Sequence, residues 1–372
     1  MKNNYENIES LIKNKTITLT KYPKILAAVL ILCIIIYYTL FHVKNLNPIE
    51  ELNFNFFQNR SYKLESFKVD EEKMLNANSK QIFFLETHLE QNRTLSNPRQ
   101  VCSVEAAART NPDMEVYLFL ATNKSDVVLN HNDFLDVLLS YPNIHIRYIN
   151  TSEYTNGTKL QNFFEIHDLS KSPHRIEHTS DILRILTLNK YGGLYMDLDV
   201  LSIFPIRMID KINFVCLERS THFSNAIIKL DKIEGKKFSD VYLEKVMKDY
   251  NPDLWAANGP DMVTPAFLSF CNGTELPLEK TGQCDTLTAW ANQKCFPIMF
   301  GSFSKFYEDN FKDEVMKKFH ETGSFFIHIW NKMLAFGNKS YKLYKNSTAA
   351  YMEVAKVFCP KTIEKTEIFR RK

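Results

Sequence analysis

Short apolar runs alternate with amphipathic segments along most of the chain after residue 80. Continuous apolar runs are typical of buried strands, and a period of two is typical of strands covered on one face. Strand-like runs fall at residues 82–85, 116–120 and 144–149, and helical spacing falls between them at residues 101–109 and 134–139. Because strands and helices take turns, the pattern predicts an α/β domain with a mostly parallel sheet, whose ligands bind beyond the carboxyl ends of the strands.

A longer apolar run lies near the N-terminus. Residues 25–43 contain no Asp, Glu, Lys or Arg and would span roughly 28 Å as a helix. A buried soluble helix and a cleaved signal peptide are the alternatives, but the run has no polar face and no small-x-small cleavage site follows it. Basic residues precede the run, which favours a cytoplasmic N-terminus. We therefore expect a cytoplasmic tail at 1–24, a transmembrane signal-anchor at 25–43, a stem at 44–79 and a lumenal domain at 80–372.

Cysteines and glycosylation motifs agree with a lumenal domain, because disulfides and Asn-linked glycans form in the secretory pathway. Of the seven cysteines, Cys33 lies inside the apolar run and six follow it, enough for three bridges whose pairing stays open. A zinc site is the competing interpretation, but the chain has no CxxC pair. Asn-x-Ser/Thr motifs begin at Asn59, Asn92, Asn123, Asn150, Asn156, Asn272, Asn338 and Asn346.

The charge pattern argues against a nucleic-acid partner. The net charge is +3, with both signs interspersed, and the most basic stretches lie near the two ends at residues 13–24 and 369–372. A nucleic-acid-binding face needs a concentrated basic stripe, which this sequence does not show. The 45% hydrophobic content is enough for one large core or two modest ones.

The stretch with most chemical content is residues 175–205, RIEHTSDILRILTLNKYGGLYMDLDVLSIFP. Its first half has helical spacing and ends at Gly192, with Thr179 or Ser180 as a predicted N-cap. Asp181 and Arg184 are three residues apart, so they share a face near the predicted helix start, where unpaired N–H groups favour an anion. The alternative for this pair is a local ion pair on a solvated helix.

A strand is predicted at residues 194–201, with Asp197 and Asp199 on the same face. Two ionised carboxylates in an apolar strand would lose several kcal/mol of hydration if they were buried without partners. A divalent cation would compensate their charge, and oxygen ligands select hard ions such as Mn²⁺ or Mg²⁺. The strand therefore predicts a metal site that keeps coordination positions open for a diphosphate.

The helix, Gly-Gly turn and DxD motif together closely resemble the DxD glycosyltransferases of the α-1,4-glycosyltransferase family. The resemblance extends to IFFLET at 82–87, CSVEAAARTNP at 102–112, NGPDMVT at 258–264 and FIHIWNK at 326–332. It implies a GT-A (Rossmann-like) fold, a single-pass type II anchor in the Golgi membrane, and a UDP-sugar donor. It also implies transfer with retention of configuration, in α linkage, onto a glycan acceptor, with a glycolipid favoured.

The resemblance also implies roles for several residues. Asp199 is expected as a direct metal ligand, and Asp197 as a ribose, sugar or metal contact, both of them catalytic. Asp181 and Arg184 match positions that hold the donor. His328 is expected as a further metal or diphosphate ligand, and its alternative is a structural histidine in an aromatic strand.

Three further positions match the family motifs. Trp330 and Asn331 are expected to help close the donor site, although Trp330 fits the core equally well. Asp261 is expected to reach the transferred sugar or the acceptor, and its alternative is ordinary turn chemistry in a Gly-Pro sequence. One departure concerns the acceptor, because residues 296–307 lack a tryptophan that relatives carry.

Two other classes of protein were weighed. Haloacid-dehalogenase phosphatases also carry DxD after a strand, but they need the motif near the domain start and a later Gly-Asp pair, and no such pair follows Asp199. A membrane-tethered, lectin-like protein would keep the fold without turnover. The presence of Asp197, Asp199 and Arg184 favours an enzyme over that alternative.

Overall fold

A computed structural model of the chain describes residues 61–67, 80–88, 95–124, 127–219, 222–273, 281–335 and 346–366. The chain divides into two units, residues 1–58 and 59–372, and the described residues all lie in the second. The predicted tail, the anchor at 25–43 and most of the predicted stem lie outside the described residues. Within those residues, none of the helices combines the length and apolarity that crossing a bilayer requires.

Twelve strands are present in the described part of the chain. They are β1 Ser61–Lys63, β2 Gln81–Glu86, β3 Glu115–Thr122, β4 Val128–Asn130, β5 Ile144–Asn150, β6 Gly193–Met196, β7 Val200–Ser202, β8 Asn213–Arg219, β9 His222–Leu230, β10 Gly282–Cys284, β11 Leu287–Trp290 and β12 Phe326–His328. The strands expected near residues 82–85, 116–120 and 144–149 are β2, β3 and β5.

Eleven α-helices accompany them in the same residues. They are α1 Pro98–Thr110, α2 Asp133–Leu139, α3 Thr151–Thr155, α4 Phe163–Ile166, α5 Arg175–Tyr191, α6 Glu234–Asp249, α7 Pro260–Phe270, α8 Asn292–Cys295, α9 Lys312–Thr322, α10 Ala350–Phe358 and α11 Pro360–Lys365. Short 3₁₀ segments include Phe300–Tyr307 and Asn331–Ala335. The helices expected near 101–109 and 134–139 are α1 and α2.

The main sheet has eight strands in the order β10-β11-β8-β9-β6-β2-β3-β5. Its α/β character is as expected, but the sheet is mixed. Four neighbouring pairs are parallel, β11·β8, β6·β2, β2·β3 and β3·β5, and three are antiparallel, β10·β11, β8·β9 and β9·β6. The parallel part contains β2, β3 and β5, whose connections carry helices, whereas only two residues separate β8 from β9 and therefore allow a hairpin.

Strand β2 shows why this sheet is buried on both faces. Ile82 and Phe84 belong to one hydrophobic cluster, and Phe83 and Leu85 belong to another. Successive side chains of a strand point to opposite faces, so each cluster covers one face of the sheet. All six residues of β2 are consequently buried, which explains the unbroken apolar run in the sequence.

The expectation of one continuous strand at residues 194–201 is wrong. Strand β6 ends at Met196, and the chain turns so that Val200 N–H donates to Asp197 O over 3.0 Å. Strand β7 then leaves the main sheet and pairs with β12 in a separate two-stranded antiparallel sheet. Asp197 and Asp199 therefore lie on a turn at the carboxyl end of β6 and not on one face of a strand.

A third hydrophobic cluster supports the small β7–β12 sheet. Leu201, Ile327 and Ile329 pack there with residues of α1, α10 and α11. A disulfide between Cys102 and Cys359 joins α1 to the residue before α11. The other two bridges link Cys216 with Cys295 and Cys271 with Cys284, so the structure pairs the six cysteines whose partners the sequence left open.

Residues 61–67, which fall in the predicted stem, contact the folded domain. Strand β1 pairs with β4, Leu64 is buried, and Phe67 N–H donates to Tyr148 O over 2.9 Å. Phe67 also lies against the ring of Phe119, with centroids 4.4 Å apart. The end of this segment is therefore part of the domain surface.

Glu105 of α1 is fully buried and fixes the C-terminal helix α11. Its carboxylate accepts hydrogen bonds from the backbone N–H groups of Lys361 and Thr362 over 3.0 and 2.8 Å. It also accepts from the hydroxyls of Thr362 and Tyr141, both over 2.6 Å. Because two of these donors are the first N–H groups of α11, Glu105 caps that helix from another element.

We expect Glu105→Ala to lower the free energy of unfolding by about 2–4 kcal/mol, because it leaves several buried donors without an acceptor. Glu115→Ala is the matched control, since that side chain is 53% exposed, and its effect should stay within about 0.5 kcal/mol. Denaturant unfolding of both variants measures the difference. Equal effects would contradict the capping role of Glu105.

Candidate metal centre

Asp197, Asp199 and His328 converge at the carboxyl end of β6. One ligand atom from each lies within 4.8 Å of the others, and this is the group of potential metal ligands found among the described residues. His328 Nε2 lies 3.3 Å from Asp199 Oδ1. The side chains of Asp197, Asp199 and His328 are 26%, 19% and 10% exposed, so they remain open to a small ligand while most of their surface is covered.

The β7–β12 pairing brings His328 to Asp199. His328 pairs with Val200 across the two strands, and Ile329 N–H donates to the backbone oxygen of Asp199 over 2.8 Å. The residues after His328 also contact this aspartate: Asn331 N–H donates to Asp199 Oδ2 over 3.0 Å. The carboxylate of Asp199 is therefore held by backbone that follows it by about 130 positions.

Trp330 lies at the backbone turn between His328 and Asn331. Its φ of 53° is in the left-handed region, which is unusual for a bulky residue. Such a conformation persists only where the surroundings hold it, and here the indole N–H donates to Ile298 O over 2.9 Å while the ring packs 4.2 Å from that of His328. Trp330 is 9% exposed, so the structure places it in the support of the site.

Arg184 lies behind the centre, buried between two carboxylates. It contacts Asp197 Oδ1 at 3.1 Å and Asp181 Oδ1 at 3.0 Å. It also donates to Asn225 O over 3.0 Å, to Ser180 O over 3.2 Å and to Ser180 Oγ over 3.0 Å. Four of the five N–H groups of the guanidinium therefore donate hydrogen bonds, to Ser180, Asn225 and Asp197, and the contact with Asp181 is an ion pair.

Asp181 and Arg184 differ from the sequence expectation in two ways. Helix α5 begins at Arg175, so Asp181 and Arg184 lie in its middle, and the predicted N-cap at Thr179 or Ser180 is wrong. Both residues are 4% exposed, which excludes an ion pair on a solvated face. The anion site expected at the helix start therefore does not include them.

Burial and neighbouring charges shift the pKa values of Asp181, Asp197 and Arg184. Burial raises the pKa of Asp181 to about 6, against the opposing effects of Arg184 and of the hydrogen bond from Asn225. Burial also raises the pKa of Asp197, and Arg184 counteracts this while the charge of Asp199 adds to it. Burial alone would lower the pKa of Arg184, but Asp197, Tyr195 and Asp181 raise it above its ordinary value. Asp181 and Asp197 thus pair with one guanidinium and Asp199 lies beside Asp197, an excess of negative charge that a divalent cation would compensate.

Two residues that the sequence analysis did not single out complete this network. Tyr195 O–H donates to Asp197 Oδ1 over 2.7 Å, and Asn225 Nδ2 donates to Asp181 Oδ1 over 2.7 Å. The signal for Tyr195 was its place two residues before Asp197. The sequence held no comparable signal for Asn225, because the position of this residue depends on the antiparallel pairing of β9 with β6.

The NGPD segment, residues 258–261, lies next to Asp181 and Asn225 at Gly259. A Cβ built on Gly259 would lie 2.6 Å from Asp181 Oδ1 and 2.6 Å from Asn225 Nδ2, so the backbone approaches both side chains too closely for any other residue. Asp261 follows in the first turn of α7 and lies 3.7 Å from His222 Nε2, with its side chain 53% exposed. The structure does not place Asp261 in the Asp197–Asp199–His328 group.

Asn331 acts through its backbone, since its N–H is the donor to Asp199. Lys332 is ion-paired with Glu177 in the first turn of α5. The segment after β12 is therefore tied to the helix that carries Asp181 and Arg184.

Two family models match the chain, and together they cover both halves of the site. Residues 97–215 match the glycosyltransferase sugar-binding region containing the DXD motif, and this range includes Asp197 and Asp199. Residues 232–366 match the alpha 1,4-glycosyltransferase conserved region, which includes His328.

The chain is also similar to curated relatives and to solved structures. The chain is 26% identical over 282 residues to mouse (Mus musculus) lactosylceramide 4-alpha-galactosyltransferase, covering 76% of this chain and 74% of that protein. It is 25% identical over 285 residues to human (Homo sapiens) alpha-1,4-N-acetylglucosaminyltransferase, covering 76% and 79%. Among solved structures, the galactosyltransferase LgtC in complex with donor and acceptor sugar analogues aligns with a TM-score of 0.38 at 12% identity, covering 76% of this chain and 95% of that one.

The DXD motif, the sugar-binding-region match and the Asp-Asp-His group define the chain as a glycosyltransferase. Its match over residues 232–366 and the named relatives make it similar to the α-1,4-glycosyltransferases.

We expect Gly259→Ala to impair the site, because the added methyl group must push Asp181 or Asn225 out of place. Overpacking of this kind lowers the free energy of unfolding by about 1–3 kcal/mol. Gly301→Ala is the matched control, since nothing lies within 4 Å of a Cβ built there. Denaturant unfolding and UDP-sugar hydrolysis compare the two variants. A Gly259→Ala protein as stable and as active as Gly301→Ala would refute the close approach.

Proposed function

We propose that this enzyme transfers galactose or an N-acetylhexosamine from a UDP-sugar to a glycan acceptor, with retention and in α-1,4 linkage. The observation that carries the proposal is the Asp197–Asp199–His328 group, whose ligand atoms lie within 4.8 Å of one another. The buried Arg184 lies directly behind it. The relatives include both a galactosyltransferase and an N-acetylglucosaminyltransferase, so the proposal keeps both types of donor.

The donor set fits a divalent cation of the hard type, Mn²⁺ or Mg²⁺. Asp199, Asp197 and His328 would hold it, and three protein ligands leave positions for the diphosphate oxygens of UDP. When bound, the ion would stabilise the negative charge that develops on the β-phosphate as the bond to sugar C1 breaks.

Protein groups around this ion position its ligands. Asn331 N–H holds one oxygen of Asp199, and Tyr195 O–H and Arg184 hold Asp197. Since Arg184 is buried and its guanidinium already contacts Asp197, Asp181, Ser180 and Asn225, we propose that it positions Asp197 rather than binds the diphosphate. Asp181 in turn fixes Arg184. Trp330 supports His328, and Asp261, exposed beside His222, is free to reach a sugar.

A glycosphingolipid is the proposed acceptor. Support comes from the name of the mouse relative, which specifies lactosylceramide. A lipid acceptor also fits the proposed arrangement of a cytoplasmic tail at 1–24, an anchor at 25–43, a stem at 44–79 and a lumenal domain at 80–372 in the Golgi membrane, because this arrangement holds the catalytic domain near the bilayer surface.

We expect Asp199→Asn to reduce sugar transfer by about 10²-fold or more, because it removes a charged ligand. The assay uses the full-length chain in detergent with Mn²⁺, UDP-galactose, UDP-N-acetylgalactosamine or UDP-N-acetylglucosamine, and octyl β-lactoside, and it identifies the product linkage by NMR. Asp210→Asn is the control, because that side chain is 78% exposed and paired with Lys211.

Chelation provides the second arm of this test. Excess EDTA should abolish transfer by the wild-type protein, and added Mn²⁺ should restore it. Transfer that continues undiminished in excess chelator would contradict the metal role, and a product with β configuration would contradict retention.

A further inference from the structure

The loop between α6 and α7 presents two apolar side chains to solvent. Leu254 is 60% exposed and Trp255 is 43% exposed. Single exposed apolar side chains are common on protein surfaces, so the position of Trp255 relative to the metal centre matters more than its exposure. The loop is also close to the site, since Gly259 lies four residues after Trp255 and a Cβ built on it would lie 2.6 Å from Asp181 Oδ1.

This loop is held firmly by hydrogen bonds. Asn251 and the fully buried Asn258 exchange two of them, over 2.9 and 2.6 Å. The buried His178 of α5 donates from Nε2 to Leu254 O over 3.1 Å. Trp255 is therefore displayed by a fixed backbone, the arrangement that a preorganised binding site requires.

A second contact ties Trp255 to the metal centre. Lys332 Nζ lies 5.1 Å from the centroid of the indole ring. Lys332 follows Asn331, whose N–H is 3.0 Å from Asp199 Oδ2. Trp255 thus borders the site, one side chain removed from the segment that holds Asp199.

The charges around Trp255 favour a neutral ligand. Lys332 is paired with Glu177, so the two charges beside the ring cancel. A phosphate or a uronic acid would need an unpaired cation there, whereas a neutral sugar needs an apolar surface and a few hydrogen-bonding groups at its edge. One face of a β-galactopyranose carries several C–H groups, whose partial positive charge matches the negative face of an indole ring.

We propose that Trp255 is the stacking platform for a terminal β-galactopyranose of the acceptor. The proposal rests on the glycosyltransferase function proposed above and names a residue that selects its acceptor. In the proposed function the donor binds at Asp197 and Asp199, and Trp255 is separated from Asp199 by Lys332 and Asn331 in the series of contacts. Trp255 therefore contributes to acceptor binding and not to donor binding.

The test compares Trp255→Ala, Trp255→Phe and the control Phe204→Ala in the full-length chain. Phe204 is similarly exposed, at 45%, and lies beyond the far end of β7. With octyl β-lactoside as the acceptor, Trp255→Ala should raise the acceptor KM about tenfold, the order expected for one lost aromatic stack. Trp255→Phe should raise it less, and Phe204→Ala should leave it unchanged.

Measurements on the donor distinguish a loss of acceptor binding from a loss of folding or of donor binding. The KM for the UDP-sugar and its slow hydrolysis without acceptor should stay within about twofold of wild type in both Trp255 variants, as should the unfolding midpoint. An unchanged acceptor KM in Trp255→Ala would overturn the proposal. An equal loss in donor KM or hydrolysis would also overturn it, because it would place Trp255 in the donor site or in the core.

Binding without turnover distinguishes this proposal from the proposed function. Saturation-transfer NMR measures methyl β-lactoside on the wild-type chain and on Trp255→Ala. If the lactoside binds wild type and not the variant while no UDP-sugar is transferred, the platform stands and the transfer function fails. If wild type binds no lactoside, the platform itself is refuted.

Discussion

The site depends on the balance of charge around Arg184. Its guanidinium is buried, donates hydrogen bonds to Ser180, Asn225 and Asp197, and is ion-paired with Asp181. Asp199 lies beside Asp197, so three carboxylates share the neighbourhood of this one cation. Removing one partner from such a buried network would leave an uncompensated charge, which is strongly destabilising. The same balance leaves net negative charge on the solvent side, where a divalent cation fits.

The fold brings the residues of the site together from distant parts of the chain. Strand β6 and helix α5 bring Asp197 and Arg184 from one region, while β12 brings His328 from another. The turn at Asp197–Asp199 is the point at which the chain leaves the main sheet, so the second aspartate can meet β12. The disulfide from Cys102 to Cys359 and the buried Glu105 then fix the C-terminal helices behind the small sheet.

Much of this was predictable from the sequence, and the failures have a physical reason. Strands β2, β3 and β5 were visible because burial on two faces or one face leaves a direct pattern of apolar residues. The turn within 194–201 was not, because alternating apolar residues look the same whether a strand continues in one sheet or passes to a second. His328 could be named through its motif, but its contact with Asp199 depends on a strand pairing between residues more than 120 positions apart. The mixed sheet also followed from pairings that local patterns do not encode.

The position of a bound cation tests the account most directly. Crystals of the protein grown with UDP and Mn²⁺ and measured at the manganese absorption edge should show one anomalous peak in contact with Asp197 or Asp199 and His328, about 2.2 Å from their ligand atoms. A peak at another place, or clear density for UDP with the two aspartates directed apart and no ion between them, would contradict the account.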